Sequence, residues 1–242
     1  MRHLLVINPN TGEATTQRLQ TWIKPLLPAD VHLDCITARF GAPYISCEAS
    51  HAVAGHALLD AWAHHLQANK QVPDGVLIAC FGDPGLFALR ASSAAPVSGL
   101  AEASFIQASA LGAFAIVTGG VHWPAMLRRL AQGLGYAEQL TAIEIVKETG
   151  AQMLADKDMA LSVLAKACHR AVESGAKSII MGGAGLAGYA QELQASVPVP
   201  LIDSVSAALS LYLDHRLPPA MQTVNAFESA WHNLPDHMRL AG

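Results

Sequence analysis

Short apolar runs alternate along this chain with longer Ala- and Leu-rich stretches, and most of the runs stop abruptly at Gly, Pro or Asn. LLVIN, from Leu4 to Asn8, reads as a buried strand halted by Pro9 and Asn10, with Thr11 placed to cap a helix that reaches about Leu27. His32 to Ala38 alternates loosely as a second strand, a Gly-Pro loop covers Gly41 to Ser46, and a helix follows from about Glu48 to Asn69. Val76 to Cys80 is the third strand, opening into a loop rich in Gly, Asp and Pro. A short helix at Leu86 to Ser92 and a fourth strand at Pro96 to Leu100 come next.

The pattern then restarts. Helix 101–111 leads to strand Ala113 to Gly120, followed by helix 125–134, strand Leu140 to Val146 and a long helix near Met159 to Gly175. Strand residues from Ser178 run into GGAG, then come a helix at Tyr189 to Ala195, a strand at Val199 to Asp203 and a helix at Ser204 to Leu213. Pro218 and Pro219 break the chain before a last helix or ordered tail.

Strands alternating with helices predict parallel βαβ units. The order of strand ends repeats, which predicts an α/β protein of two similar Rossmann-like lobes, each a parallel four-stranded sheet flanked by helices. The expected division is 1–98 with 206–242 for the first lobe, and 99–205 for the second.

Composition narrows the partners. Of 242 residues, 52% are hydrophobic and 14% charged, enough apolar material for a substantial core and an association surface. A net charge of −4 argues against nucleic acid or an anionic membrane as partner. No apolar run approaches the roughly 20 residues of a membrane span, and no signal-peptide order follows Met1. The four cysteines show no CxxC pair, so free thiols in the cytoplasm are expected.

Cys80 is the first chemical candidate. A free cysteine is commonly a core residue, but this one ends a strand beside Gly82 and Gly85, where amides and a helix start would lower its pKa. Cys35 and Cys168 fall inside elements and read as packing; Cys47 follows a loop and reads as incidental. Asp83 reads as the cap of the next helix. TGG at Thr118 to Gly120 and GGAG at Gly182 to Gly185 expose amides suited to an anion, or are ordinary loop glycines. No dinucleotide or P-loop fingerprint is present, and the histidines form no i, i+4 zinc pair. No metal and no cofactor are expected. His122, just past TGG, is the histidine to watch as an auxiliary acid or orienter.

INPNT (Ile7 to Thr11), ACFGDPGL (Ala79 to Leu86), PVSGLAEAS (Pro96 to Ser104), AIVTGG (Ala115 to Gly120) and GGAGLAG (Gly182 to Gly188) occur in this order. Together they resemble the hydantoin racemase branch of the aspartate/glutamate racemase superfamily, over about residues 4 to 214. The resemblance implies a cofactor-independent, oligomeric isomerase with a cleft between two lobes and one catalytic cysteine from each. It implies proton transfer α to a carboxylate or imide carbonyl of an amino-acid or hydantoin type substrate, with Cys80 as the acid/base thiol. It also implies substrate contacts from Asn10, Thr11 and Thr118, and from the backbone at Phe81, Gly82, Gly119, Gly183 and Ala184. Gly183 stands where the branch carries its second cysteine. A one-cysteine decarboxylase of the arylmalonate type, from the same superfamily, is therefore the runner-up, and a binding protein without catalysis the third reading.

Overall fold

The computed structural model describes residues 1–69, 71–148 and 150–221. Eight strands and nine α-helices are assigned among them. The first half runs β1 (Arg2–Asn8), α1 (Glu13–Ile23), β2 (Val31–Thr37), α2 (Glu48–Asn69), β3 (Gly75–Ile78), α3 (Leu86–Ser92) and β4 (Val97–Gly99). The second runs α4 (Leu100–Ser109), β5 (Phe114–Gly119), α5 (Trp123–Gly133), β6 (Leu140–Val146), α6 (Gly150–Ala155), α7 (Lys157–Glu173), β7 (Ser178–Gly182), α8 (Tyr189–Leu193), β8 (Leu201–Asp203) and α9 (Ser204–Leu213).

Each half folds its strands into a separate, all-parallel sheet, ordered β2-β1-β3-β4 and β6-β5-β7-β8. The topology repeats, strand for strand. In both sheets the two middle strands are the apolar runs: Leu4 to Ile7 beside Val76 to Ile78, and Phe114 to Val117 beside Ile179 to Met181, all buried. Parallel sheets are covered on both faces by their crossover helices, so central strands lose the alternation of a half-exposed strand. Helix α2 contributes Ala54, Ala57, Leu58, Ala61 and Trp62 to the buried set of the first half. In the second, α7 supplies Ala160, Leu164, Ala167 and Cys168 to a core shared with β5, β7 and α8.

The chain folds into two compact units, one of Met1–Gly99 with described residues 211–221, the other Leu100–Ser210. The second division thus lies inside α9, later than position 206. Tyr212 and Leu217 explain it physically, because both pack on Gly75 at the start of β3, where a Cβ would stand only 2.7 Å from each side chain.

Four local expectations change. Helix α1 ends at Ile23 and a single 3₁₀ turn follows, since Pro25 cannot continue the hydrogen-bond ladder. Its N-cap is Gly12, without a side-chain bond, so Thr11 does not cap it. Helix α6 was absent from the pattern because six residues are too few to show a period. Asp83 does not cap α3; Gly85 occupies that position in the left-handed conformation, and the Asp83 carboxyl lies against Gly99. The tail expected after Pro219 lies, beyond Met221, outside the described residues. No helix among those described is long and apolar enough to cross a membrane.

Candidate active site

In each sheet the chain leaves the first central strand toward one edge and returns to start the second, so two loops diverge between neighbouring strands. In open α/β sheets such switch points, at the carboxyl ends of the strands, are where ligands bind. In the first unit the two loops are Pro9 to Gly12 after β1 and Ala79 to Gly85 after β3. They begin level with one another: Ile7 pairs with Ile78, and the Ala79 amide donates to the Ile7 carbonyl at 2.8 Å.

Cys80 is the first residue past that bond, half-buried, and its carbonyl accepts the Asp83 amide at 3.1 Å to close a tight turn. The turn takes three positive φ values in a row of four residues, at Gly82, Asp83 and Gly85. Two contacts from one face of α2 hold it. His51 donates its Nε2–H to the Gly82 carbonyl at 3.0 Å, which fixes the ring tautomer. One helical turn later Gly55 meets Gly85 so closely that a Cβ on Gly85 would lie 3.0 Å from the Gly55 carbonyl. His51 is a residue that sequence reasoning missed. Its partner is a backbone carbonyl in a distant loop, which leaves no signal in helical spacing.

The thiol itself departs from expectation. Burial, and next the Asp83 carboxylate, push Cys80 well above the ordinary thiol value of 9.0, so the neutral S–H is the resting form. The depressed pKa expected for Cys80 occurs at Cys47 instead. There the Ser50 hydroxyl, 3.5 Å from Sγ, and amides at the start of α2 favour the thiolate. Cys35 and Cys168 are pushed up to about 12 and about 11, chiefly by burial, as packing residues are. Cys168 Sγ lies 3.8 Å from Met181 Sδ within the core.

The loop after β1 is organised by a residue that the sequence does not single out, Asn8. Its buried amide nitrogen reaches Asn10 Oδ1 at 3.0 Å, Thr16 Oγ1 at 3.0 Å and the Gly12 carbonyl at 3.2 Å, while its Oδ1 accepts the Asn10 amide. Asn10 Oδ1 also accepts the Gly12 amide at 2.8 Å. The Asn10 oxygen is thus committed to the turn, leaving its Nδ2 as the group able to donate outward. The Thr11 amide is committed to the Ala42 carbonyl. Phe81 and Gly82 are buried beside Cys80.

In the second unit the equivalent loops follow β5 and β7. Thr118 donates its hydroxyl to the Gly182 carbonyl at 2.6 Å, bridging the two central strands, so its oxygen can only accept from anything else. Gly119 is half-buried, and His122 is exposed at the N-cap of α5 without a side-chain capping bond. Gly183 has φ +133 and ψ 142, a region essentially restricted to glycine, and its amide donates to the buried Ser204 Oγ at 3.2 Å. Asp203 fixes the far end of the loop, accepting the Gly188 amide at 2.8 Å through Oδ2 while Oδ1 caps α9 through Val205 and Ser206. Ala184 opens the intervening 3₁₀ turn. Nothing lies within 4 Å of a Cβ built on Gly183, so the restriction there is backbone conformation rather than space.

Known proteins share the sequence and fold of this chain. The model of the Asp/Glu/Hydantoin racemase family matches residues 4–212. A hydantoin racemase of Paenarthrobacter aurescens is 33% identical over 207 residues, spanning 85% of this chain and 87% of that protein. The structure of an allantoin racemase from Klebsiella pneumoniae superposes with a TM-score of 0.84 at 27% identity, covering 97% of this chain and 96% of the other. Arylmalonate decarboxylase shares the fold more distantly, with a TM-score of 0.57 at 17% identity over 88% and 91% of the two chains. The chain belongs to the Asp/Glu/Hydantoin racemase family.

Proposed function

We propose that this racemase-family enzyme moves a proton at the carbon α to a carbonyl of a small cyclic ureide or carboxylate, with Cys80 as the thiol. The observation that carries this reading is Cys80 at the first-unit switch point, on a turn braced by His51 and Gly55, in a chain similar to hydantoin racemases. A C–H next to a carbonyl is weakly acidic, so removing it needs a base at the carbon and donors at the oxygen where charge develops. Asn10 Nδ2, the Phe81 and Gly82 backbone, Gly119 and Ala184 are the proposed holders of the substrate oxygens. Thr11 and Thr118 complete the set, Thr118 as an acceptor for a ureide N–H. His122 is the proposed auxiliary group.

The neutral resting thiol gives the reaction a direction. As a base Cys80 must first lose its proton, whereas as an acid it is ready. The Gly-only backbone at Gly183 also leaves the second-unit loop without a thiol at that position. Both observations favour a one-thiol reaction as the second reading. In it a malonate-type substrate loses carbon dioxide, the bond electrons pass into an enediolate, and the Cys80 S–H protonates the carbon. Solvent then restores the thiol.

Deuterium oxide separates the readings. Single enantiomers of 5-substituted hydantoins, allantoin and an arylmalonate are incubated with the protein and with Cys80→Ser. Deuterium at the α-carbon of both enantiomers, lost in Cys80→Ser, is the result expected of a racemase. One-sided exchange or release of carbon dioxide points to the single acid. Absence of exchange with every substrate, together with ligand binding indifferent to Cys80→Ser, would leave a binding protein and overturn the proposal.

A further inference from the structure

At the opposite end of the first sheet from Cys80, where β1 and β2 begin, three side chains with metal-ligating atoms come together. The parallel register sets His3 beside His32, and alternation along β2 returns Asp34 to the same face. His3 Nε2 lies 2.9 Å from Asp34 Oδ2, and His32 Nε2 lies 3.1 Å from Asp34 Oδ1. The three ligating atoms all fall within 4.8 Å of one another. Around an ion bound at ~2.0–2.2 Å, tetrahedral neighbours stand ~3.3 Å apart, so the His–Asp contacts of 2.9 and 3.1 Å lengthen slightly while the rest of the set, within 4.8 Å, draws together.

A second observation comes from α2. The His65 ring lies 5.6 Å from that of His3, is 5% exposed, and has a buried Nε2 with no hydrogen-bond partner. Its Nδ1 is met by the Asn69 amide at 3.2 Å. One buried polar atom next to His3 is therefore left unsatisfied by protein. The His32 side chain, 52% exposed, gives the cluster an open side for entry and for solvent ligands.

We propose that His3, His32 and Asp34 bind one divalent transition-metal ion, completed by water, that clamps the beginnings of β1 and β2 together. Two imidazoles and one carboxylate suit zinc, nickel or copper; magnesium and calcium take all-oxygen sets. Each histidine coordinates through Nε2 with its proton on Nδ1, so binding replaces the two His–Asp hydrogen bonds with bonds to the ion. The distance from the Cys80 end of the strands makes the site structural rather than catalytic. Helical i, i+4 spacing cannot reveal a site of this kind, which depends on strand pairing.

Zinc chloride titrated by calorimetry into tag-free, chelator-stripped protein tests this. One ion per chain at micromolar or tighter affinity is expected, with a zinc-dependent rise in melting temperature. His32→Ala and the isosteric Asp34→Asn each weaken binding by ~10-fold or more. His169→Ala, an exposed histidine on α7, and Cys47→Ser leave it unchanged. Should a variant fail to fold, imidazole NMR of the wild-type protein decides: shifts confined to His3, His32 and their neighbour His65 support the site, and shifts at histidines outside that group overturn it. Absence of zinc binding at millimolar concentration, or binding lost with Cys47→Ser, overturns it as well.

Discussion

Cys80 and Cys47 show how little a residue's chemistry follows from its neighbours in sequence. A cysteine beside glycines at a strand end suggests a thiolate, yet burial and the Asp83 carboxylate hold Cys80 protonated, while Ser50 favours the thiolate at Cys47, which reads as incidental in the sequence. Iodoacetamide at neutral pH is therefore expected to modify Cys47 before Cys80, as peptide mass spectrometry would show. Inactivation by alkylation must be measured in a Cys47→Ser background. The raised thiols also set a pH dependence. Cys80, Cys35 and Cys168 have folded pKa values above the unfolded value near 9.0, so their contribution to stability is full below about pH 9 and is lost as pH rises beyond it. The urea midpoint should fall between about pH 9 and pH 11, less steeply in Cys80→Ser. A midpoint flat over that range would contradict the burial assigned to these thiols.

At the scale of elements, the strands were the most legible part. Buried central strands carry their signal in four or five successive apolar residues, and β6, α2, α3 and α9 begin and end where the pattern put them. What could not be read were contacts between elements. His51 and Gly55 on α2 grip a loop about thirty positions later, and Asn8 joins its turn to Thr16, which in turn reaches Thr37 at 2.7 Å. Family likeness named Asn10, yet Asn8 holds the turn's geometry. Substitutions at three positions test these contacts. Asn8→Ala orphans buried partners and should cost about 1–3 kcal/mol in chemical denaturation. Gly85→Ala places a Cβ against the Gly55 carbonyl at φ +79 and should cost a similar ~1–3 kcal/mol. His51→Ala removes one hydrogen bond worth about 1 kcal/mol. Its effect should appear as a fall in kcat of about tenfold with KM little changed, and His51→Gln, which keeps a donor, should recover part of it.

For the molecule as a whole, the repeated strand order was legible because each unit writes the same succession of strand ends. The repeat also poses a question about Gly183. Introducing a thiol there looks like a single substitution, and space for a side chain is present. The backbone is the obstacle: an L-residue at φ +133 and ψ 142 costs about 1–3 kcal/mol or forces the loop to turn over. Gly183→Cys is therefore expected to lower the melting temperature and to add little α-carbon exchange. Gly183→Ala should lower it equally, separating conformational strain from thiol chemistry. Exchange rising steeply in Gly183→Cys without loss of stability would show that the loop accepts a cysteine as it stands.

The packing of Tyr212 and Leu217 on Gly75 has a consequence for how the protein is made. The second unit is one unbroken stretch, so every residue it needs has been synthesised once Ser210 is joined. The first is not, because β3 leaves the ribosome before the side chains that cover its beginning exist. At ~5–20 residues per second the delay is on the order of 10 s, long compared with the folding of a small domain. During synthesis the half that starts first is the half that finishes last, with the beginning of β3 as the surface a chaperone would have to shield.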